Sequence, residues 1–231
     1  MTLRLASYNV HKCVGTDGKR LPGRVIDAIN EIGADVVALQ EVDRRLGPRP
    51  AALPPELILK ATDFTPLPRP GNGPSLGWHG QTILVRSTVE IAHVEAFDLP
   101  GLEPRGAVLA ELLLDAGPLR VIAVHLGLVR RHRQMQMRAL RDAIAARGFM
   151  PTAILGDFNE WSPTGGMEPL ADAFHVHAPG LSFHASRPIA ALDRIALSRG
   201  LHLHDAGVTR SPAARLASDH LPVWADVRID G

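Results

Sequence analysis

TILVRSTVEIAHVEAFDLPGLEPRGAVLAELLLDAGPLRVIAVH, residues 82–125, holds four apolar stretches in close succession. Thr82–Val85, Val89–Phe97, Ala107–Leu114 and Leu119–His125 each read as a strand, broken only by short segments with Ser, Gly, Pro or Asp. Strands that follow one another this closely pair as antiparallel sheet, because a parallel neighbour needs a long crossover.

Outward from this run, Leu3–Val10 reads as a strand. Val25, Ile26, Ile29 and Ile32 have helical spacing, with Pro22 suited to the first turn and Gly33 to the stop. Val36–Leu39 is a short buried strand with Glu41 just past its end. Downstream come a helix over Arg131–Arg147 and strands over Thr152–Leu155, Leu192–Leu197, Leu201–Val208 and Leu221–Ile229. Strands far outnumber helices, and a few helices cross between them. The pattern predicts an α/β fold, a four-layer sandwich of two packed, mostly antiparallel β-sheets flanked by helices. One domain is expected over residues 1–231. The stretch from Pro48 to Pro74 carries eight prolines and reads as a long surface excursion with one short helix near Glu56–Ala61. No repeat, no G-x-G-x-x-G and no Walker-A loop occurs, which weakens nucleotide-cofactor readings.

Composition sets further bounds. Hydrophobic residues make up 45% and charged residues 21%, ordinary values for a globular protein. Twenty-five Lys and Arg face 24 Asp and Glu, so the chain lacks the global basic excess of a dedicated nucleic-acid binder. No apolar run approaches the length of a membrane span, and no leader pattern precedes the first strand. A single cysteine, Cys13, rules out an intramolecular disulfide, and a cytoplasmic setting is expected.

Apolar strands here end repeatedly in polar residues. Asn9 ends the first strand, Glu41 follows the second, and His125 ends Val121–Val124. Asp157 and Asn159 follow Ala153–Leu155, Asp193 opens Leu192–Ile195, and Asp219 and His220 stand before the last strand. Singly, each is an ordinary turn former or solvated residue. Together they supply oxygen ligands for a hard cation and two imidazoles for proton transfer.

The local words, in order, are Y-N-V-H-K from Tyr8, L-Q-E-V from Leu39, V-H-L-G-L from Val124, G-D-F-N from Gly156, L-D-R-I from Leu192 and S-D-H-L-P from Ser218. Their sequence resembles the endonuclease/exonuclease/phosphatase superfamily, in a small bacterial branch. The resemblance implies that Asn9 and Glu41 hold a metal with Asp219 close by. It implies that Asp157 and Asn159 position water and phosphate oxygens, that Asp193 orients His220, and that His125 serves near the leaving oxygen. Whether His220 or Asp157 is the base stays open, as does the acidic partner of His125. Near Thr82–Val85, where that partner is sought, stand His79, Gly80 and Gln81.

A phosphodiester is anionic and repels nucleophiles; a hard cation screens that charge. Carboxylate and amide oxygens favour Mg2+ or Mn2+, and no H-E-x-x-H or C-x-x-C offers a zinc cage. The expected activity is Mg-dependent phosphodiester hydrolysis. The expected substrate is a small or lipid phosphodiester, with nucleic acid as the alternative and a phosphomonoester as a third possibility. A non-catalytic binding protein on the same fold is the rival from another class, and no protein partner is inferable. Arg105 and the cluster Arg130–Arg133 are candidate phosphate contacts, weighed equally against sheet bracing and a solvated helix start. Trp161 is a candidate pocket wall, and Cys13 reads as packing. His175 with His177, and His202 with His204, read as solvated strand faces.

Overall fold

The computed structural model describes residues 2–69 and 73–230; Pro70, within the proline-rich excursion, lies outside them. In chain order the elements are β1 (Leu3–Asn9), α1 (Pro22–Ile32), β2 (Val36–Gln40), α2 (Pro55–Ala61), β3 (Phe64–Pro66), β4 (Thr82–Arg86), β5 (Glu90–Leu99), β6 (Arg105–Leu114) and β7 (Gly117–His125). Then follow α3 (Arg130–Ala145), β8 (Thr152–Asp157), β9 (Phe174–His177), β10 (Asp193–Ser198), β11 (Leu201–Val208), α4 (Pro212–Ala217) and β12 (Val223–Ile229). The expected helix stop is in place: Gly33 adopts φ 63°, the left-handed region that a residue without Cβ enters at little cost.

Two six-stranded sheets result, in the orders β11-β12-β1-β2-β4-β3 and β5-β6-β7-β8-β10-β9. Each has one parallel pair at its centre, β1 with β2 and β7 with β8, and antiparallel pairs elsewhere. The parallel pairs are the ones joined by helices, α1 and α3, as the crossover requirement demands. The sequence carries no repeat, yet the two sheets share one topology. The path β11-β12-β1-α1-β2-β3-β4 has the same strand order as β5-β6-β7-α3-β8-β9-β10, with the chain ends falling inside the first unit.

The sandwich has four layers because each sheet buries both faces. Leu3, Leu5, Val36 and Ala38 of the first sheet meet Val121, Ala123, Leu155 and Ile195 of the second. On the outer face of the first sheet, Ala6, Tyr8 and Leu39 pack under Val25, Ile29 and Ile32 of α1. On the outer face of the second, Ile122 and Ile154 pack under Met137 and Leu140 of α3. Truncating a fully buried leucine such as Leu155 to alanine is expected to cost about 2–5 kcal/mol.

The excursion is more ordered than its prolines suggest. It contains α2 as expected, but also β3, which pairs only with β4 at the sheet edge, where a proline is tolerated. Asp43 is buried, and its carboxylate accepts bonds from Leu76 N at 2.6 Å and Gly77 N at 3.0 Å, closing the excursion at its base. Short α4 also went unforeseen; Ser211 caps it by accepting from Ala214 N at 3.1 Å. Among the described residues no helix is long and apolar enough to cross a membrane.

Candidate active site

Side chains alternate faces along a strand, so each strand's inward row can be followed to its end. In β1 the inward row is Leu3, Leu5, Ser7 and then Asn9; in β7 it is Leu119, Val121, Ala123 and then His125. In β8 it is Ala153, Leu155 and then Asp157; in β10 it begins with Asp193 and continues to Ile195 and Leu197. Four chemical residues thus extend apolar rows of the inter-sheet core to one rim. His125 and Asp193 are both register partners of Asp157, so three adjacent strands set them side by side.

Asp157 Oδ2 is the hub. It accepts from Asn9 Nδ2 at 3.1 Å across the gap between the sheets. His125 Nε2 lies 3.5 Å from the same oxygen and His220 Nε2 lies 3.6 Å from it. The other oxygen accepts from Asn159 N at 2.9 Å, while Asn159 Nδ2 donates to Leu126 O at 2.9 Å. On its far side His220 Nδ1 meets Asp193 Oδ2 at 2.9 Å, and Ser182 Oγ donates to that oxygen at 2.5 Å. Ser218 Oγ donates to Asn9 O at 2.7 Å, and His220 N donates to Ser218 Oγ at 3.2 Å, which fixes the S-D-H turn against β1.

The two imidazoles are in opposite states. Burial pushes His125 down to about 3, helped by the nearby Arg105, so it is neutral at pH 7. Burial also opposes a charge on His220, but Asp193 and Asp157 outweigh it and push this histidine up to about 10. Burial pushes Asp157 up to about 6, against the pull of His220. Burial works to raise Glu41 as well, but His125, Lys12 and His11 outweigh it and hold the carboxyl at about 2. With His125 neutral above pH 3, Lys12 is the cation that matters, and its Nζ bonds Glu41 Oε2.

These groups line one cavity of about 560 Å³. Backbone strain gathers there: Lys12, Glu41, Arg49, His79 and Asn159 all have positive φ, between 48° and 57°, and all line the cavity. Such strain is commonly held in place at functional sites. Glu41 in this conformation leaves the line of β2 while its carbonyl accepts from Lys12 N at 2.9 Å.

Of the residues singled out in the sequence, Asn9, Glu41, Arg105, His125, Asp157, Asn159, Trp161 and His220 line the cavity, with Asp193 behind His220. Two of the candidate metal and substrate residues, Asp219 and Arg130, are not brought to its wall. Asp219 turns toward His11, with its Oδ1 3.6 Å from His11 Nδ1. Arg130 is exposed and faces Glu168 at 3.5 Å. Its neighbour Arg133 is buried, paired to Glu160 at 2.8 Å and donating to Leu128 O at 2.7 Å, so it braces the loop after His125. Arg105 is held by Glu103 at 2.8 Å. The place where an acidic partner for His125 was sought holds none: His79 there pairs with Asp98 at 2.9 Å, and the carboxylates near His125 are Asp157 and Glu41.

Sequence reasoning missed Lys12, Ser182, Ser218, Phe183 and the arginines 44, 45, 49 and 69. Lys12 and Ser218 sat inside words already quoted. The Phe183 ring lies 5.0 Å from the His220 ring and 6.0 Å from Trp161, giving the cavity an aromatic side.

The wall offers amide and carboxylate oxygens from Asn9, Glu41, Asp157 and Asn159 and no sulfur, since Cys13 is buried elsewhere. That donor set fits a hard divalent cation. Asp157, Asp193 and His220 bring ligand atoms within 4.8 Å of one another, and Asp193 Oδ2 already takes Ser182 and His220.

Residues 6–220 match the Endonuclease/Exonuclease/phosphatase family. An uncharacterised protein of Escherichia coli K12, YbhP, is 26% identical over 254 residues, covering 99% of this chain and 97% of that protein. The endonuclease/exonuclease/phosphatase of Beutenbergia cavernae superposes with a TM-score of 0.74 at 26% identity, over 100% of this chain and 72% of that one. The protein of the same description from Bacteroides vulgatus superposes with a TM-score of 0.80 at 17% identity, over 100% of both chains.

Proposed function

The chain belongs to the endonuclease/exonuclease/phosphatase family, whose members hydrolyse phosphoester bonds, and from that premise we propose that it is a Mg-dependent phosphodiesterase acting on a small or lipid phosphodiester by water attack. One observation carries the reading. A single carboxylate oxygen, Asp157 Oδ2, lies between a neutral and a cationic imidazole, beside Asn9 and Glu41 on a concave wall.

Asn9 and Glu41 hold the cation, with Asp219 adding negative charge from the His11 side. Mg2+ or Mn2+, when bound, screens the phosphate charge and polarises its P–O bonds. Asp157 takes the proton of the attacking water, since its carboxyl, raised to about 6, is ionised at pH 7 and still basic enough to accept one. His220, held as imidazolium by Asp193, donates a hydrogen bond to a phosphoryl oxygen as charge builds there and keeps its proton, and the leaving oxygen takes its proton from solvent as the P–O bond breaks. His125 and Asn159 orient the leaving and equatorial oxygens, and Arg105, on the cavity wall near His125, contacts the substrate.

The arginines on the cavity wall favour a second reading, in which the diester belongs to a nucleic acid strand. One assay separates the two. Turnover of bis(p-nitrophenyl) phosphate, a phospholipid dispersion and supercoiled plasmid is measured at matched salt, with Mg2+, with Mn2+ and with chelator. Metal-dependent hydrolysis of the small or lipid diester is expected, lost on chelation and in Glu41→Ala. Undiminished turnover in chelator ends the metal-hydrolase reading; efficient nicking with a steep salt slope, and little else, makes the protein a nuclease.

A further inference from the structure

We propose that Arg44, Arg45 and Arg49, with Arg69 beside them, form a second anion subsite that holds a non-scissile phosphate of a small, doubly phosphorylated substrate. The inference rests on the reading of this cavity as a phosphoesterase site. All four arginines line the same cavity as Glu41, His125 and His220. Arg44 and Arg45 come from the loop just after β2, and Arg49 and Arg69 from the excursion that follows, not from Arg130–Arg133, which the sequence made conspicuous.

The excursion presents them from a fixed frame. Besides the two bonds to buried Asp43, Arg44 N donates to Pro50 O at 2.9 Å and Ala51 N to Pro74 O at 2.8 Å. Ser75 Oγ donates to Arg49 O at 2.6 Å. Arg49 itself sits at φ 53°, a left-handed conformation that these bonds maintain.

Charge in this wall is unbalanced. The acidic groups beside it include Asp43, near Arg49 and Arg69, and Glu103, near Arg45, while Glu41 of the same cavity is paired to Lys12. Asp43 is committed to two backbone N–H groups, and Glu103 to Arg105 and Leu128 N. Among the described residues no carboxylate lies within the 4.0 Å of an ion pair from Arg44, Arg45 or Arg49. Cations converging on one concavity repel one another until an anion enters, and the guanidinium fork suits a phosphate dianion. Size points to a small ligand: about 560 Å³ accommodates a scissile ester and one further group, not a duplex.

The test uses two chromogenic diesters, thymidine 5′-(p-nitrophenyl phosphate) and the same ester carrying a 3′-phosphate, with Mg2+. The phosphorylated ester is expected to have a kcat/KM higher by roughly 10–100-fold, chiefly through KM. In Arg44→Ala/Arg45→Ala, at two exposed positions, and separately in Arg49→Ala, the ratio should fall toward one. Arg44→Lys/Arg45→Lys should restore part of it, because charge returns without the fork. Equal constants for the two esters in the wild-type protein, or an unchanged ratio in the variants, overturn the proposal. Preference for a short oligothymidylate over the phosphorylated ester also overturns it, since the wall would then read a strand. If neither ester is turned over, the phosphoesterase reading fails on its own. The subsite is then decided by calorimetry in chelator, where thymidine 3′,5′-bisphosphate must bind tighter than thymidine 5′-monophosphate, with the difference lost in the alanine variants.

Discussion

Asp193 Oδ2 lies 2.9 Å from His220 Nδ1, and both side chains are buried. The carboxylate fixes which way the ring faces, turning its Nε2 toward Asp157 and the cavity. With Ser182 on the same oxygen, Asp193 is itself held on two sides.

Asp193→Asn keeps the shape and removes the charge. The His220 pKa should then fall from about 10 toward its ordinary value, read by NMR titration of the ring. Turnover should drop by roughly 10²–10⁴, the scale of lost proton handling. A variant with wild-type turnover and a shifted pKa would separate this pair from catalysis.

The same charges set a pH profile. In the proposed mechanism Asp157 must be ionised to accept a proton, so kcat should rise as pH climbs through about 6. His220 must stay protonated, so kcat should decline as pH passes about 10. His220→Gln should erase the alkaline limb and Asp157→Asn should leave too little activity to show either. An alkaline limb that persists without His220 refutes its assignment.

His125 makes a separate prediction about stability. Its folded pKa is about 3 against an ordinary 6.5, so the unfolded chain binds this proton first. Stability from this group is full above pH 6.5 and is lost as pH falls toward 3. The slope approaches ~1.4 kcal/mol per pH unit. His125→Gln should remove that slope, seen as denaturation midpoints at several pH values between 4.5 and 6.5. That window lies above the one in which Glu41, held at about 2, contributes its own acid-side loss. Parallel curves for the two proteins would show that His125 is not buried neutral.

Cys13 is buried and pushed up to about 12 by that burial, so its thiol should resist aromatic disulfide reagents until the chain unfolds. Cys13→Ser should keep turnover within about twofold and lower stability by roughly 1–2 kcal/mol for burying a hydroxyl. A dead but folded serine variant would give the thiol a chemical task.

Much of the site was legible because sheet geometry is periodic. Once β1, β7, β8 and β10 are strands, the parity of Asn9, His125, Asp157 and Asp193 follows from counting residues. Six words in a fixed order supplied the rest. The arginine wall was illegible for a concrete reason: Arg44 and Arg69 line one cavity, and the chain between them is closed by Asp43 binding Leu76 and Gly77, 33 and 34 residues on. Conversely, the sequence of Arg130–Arg133 suits a phosphate clamp and a solvated helix start equally; Glu160 and Glu168 draw Arg133 and Arg130 away from the cavity, and nothing local announces those pairs. The carboxylate beside His125 was hidden too, because Asp157 reaches it by strand register across a helical crossover.

Asn9, Glu41 and His220 belong with the first sheet, and His125, Asp157 and Asp193 with the second. The contacts Asn9–Asp157 and His220–Asp193 are bolts across that seam, at 3.1 Å and 2.9 Å. On the proposed roles, neither half-sandwich owns a working set of groups. Turnover should therefore sense closure: a solvent or temperature that parts the layers by about an ångström, leaving every strand hydrogen bond intact, is expected to silence hydrolysis while circular dichroism still reports a folded chain.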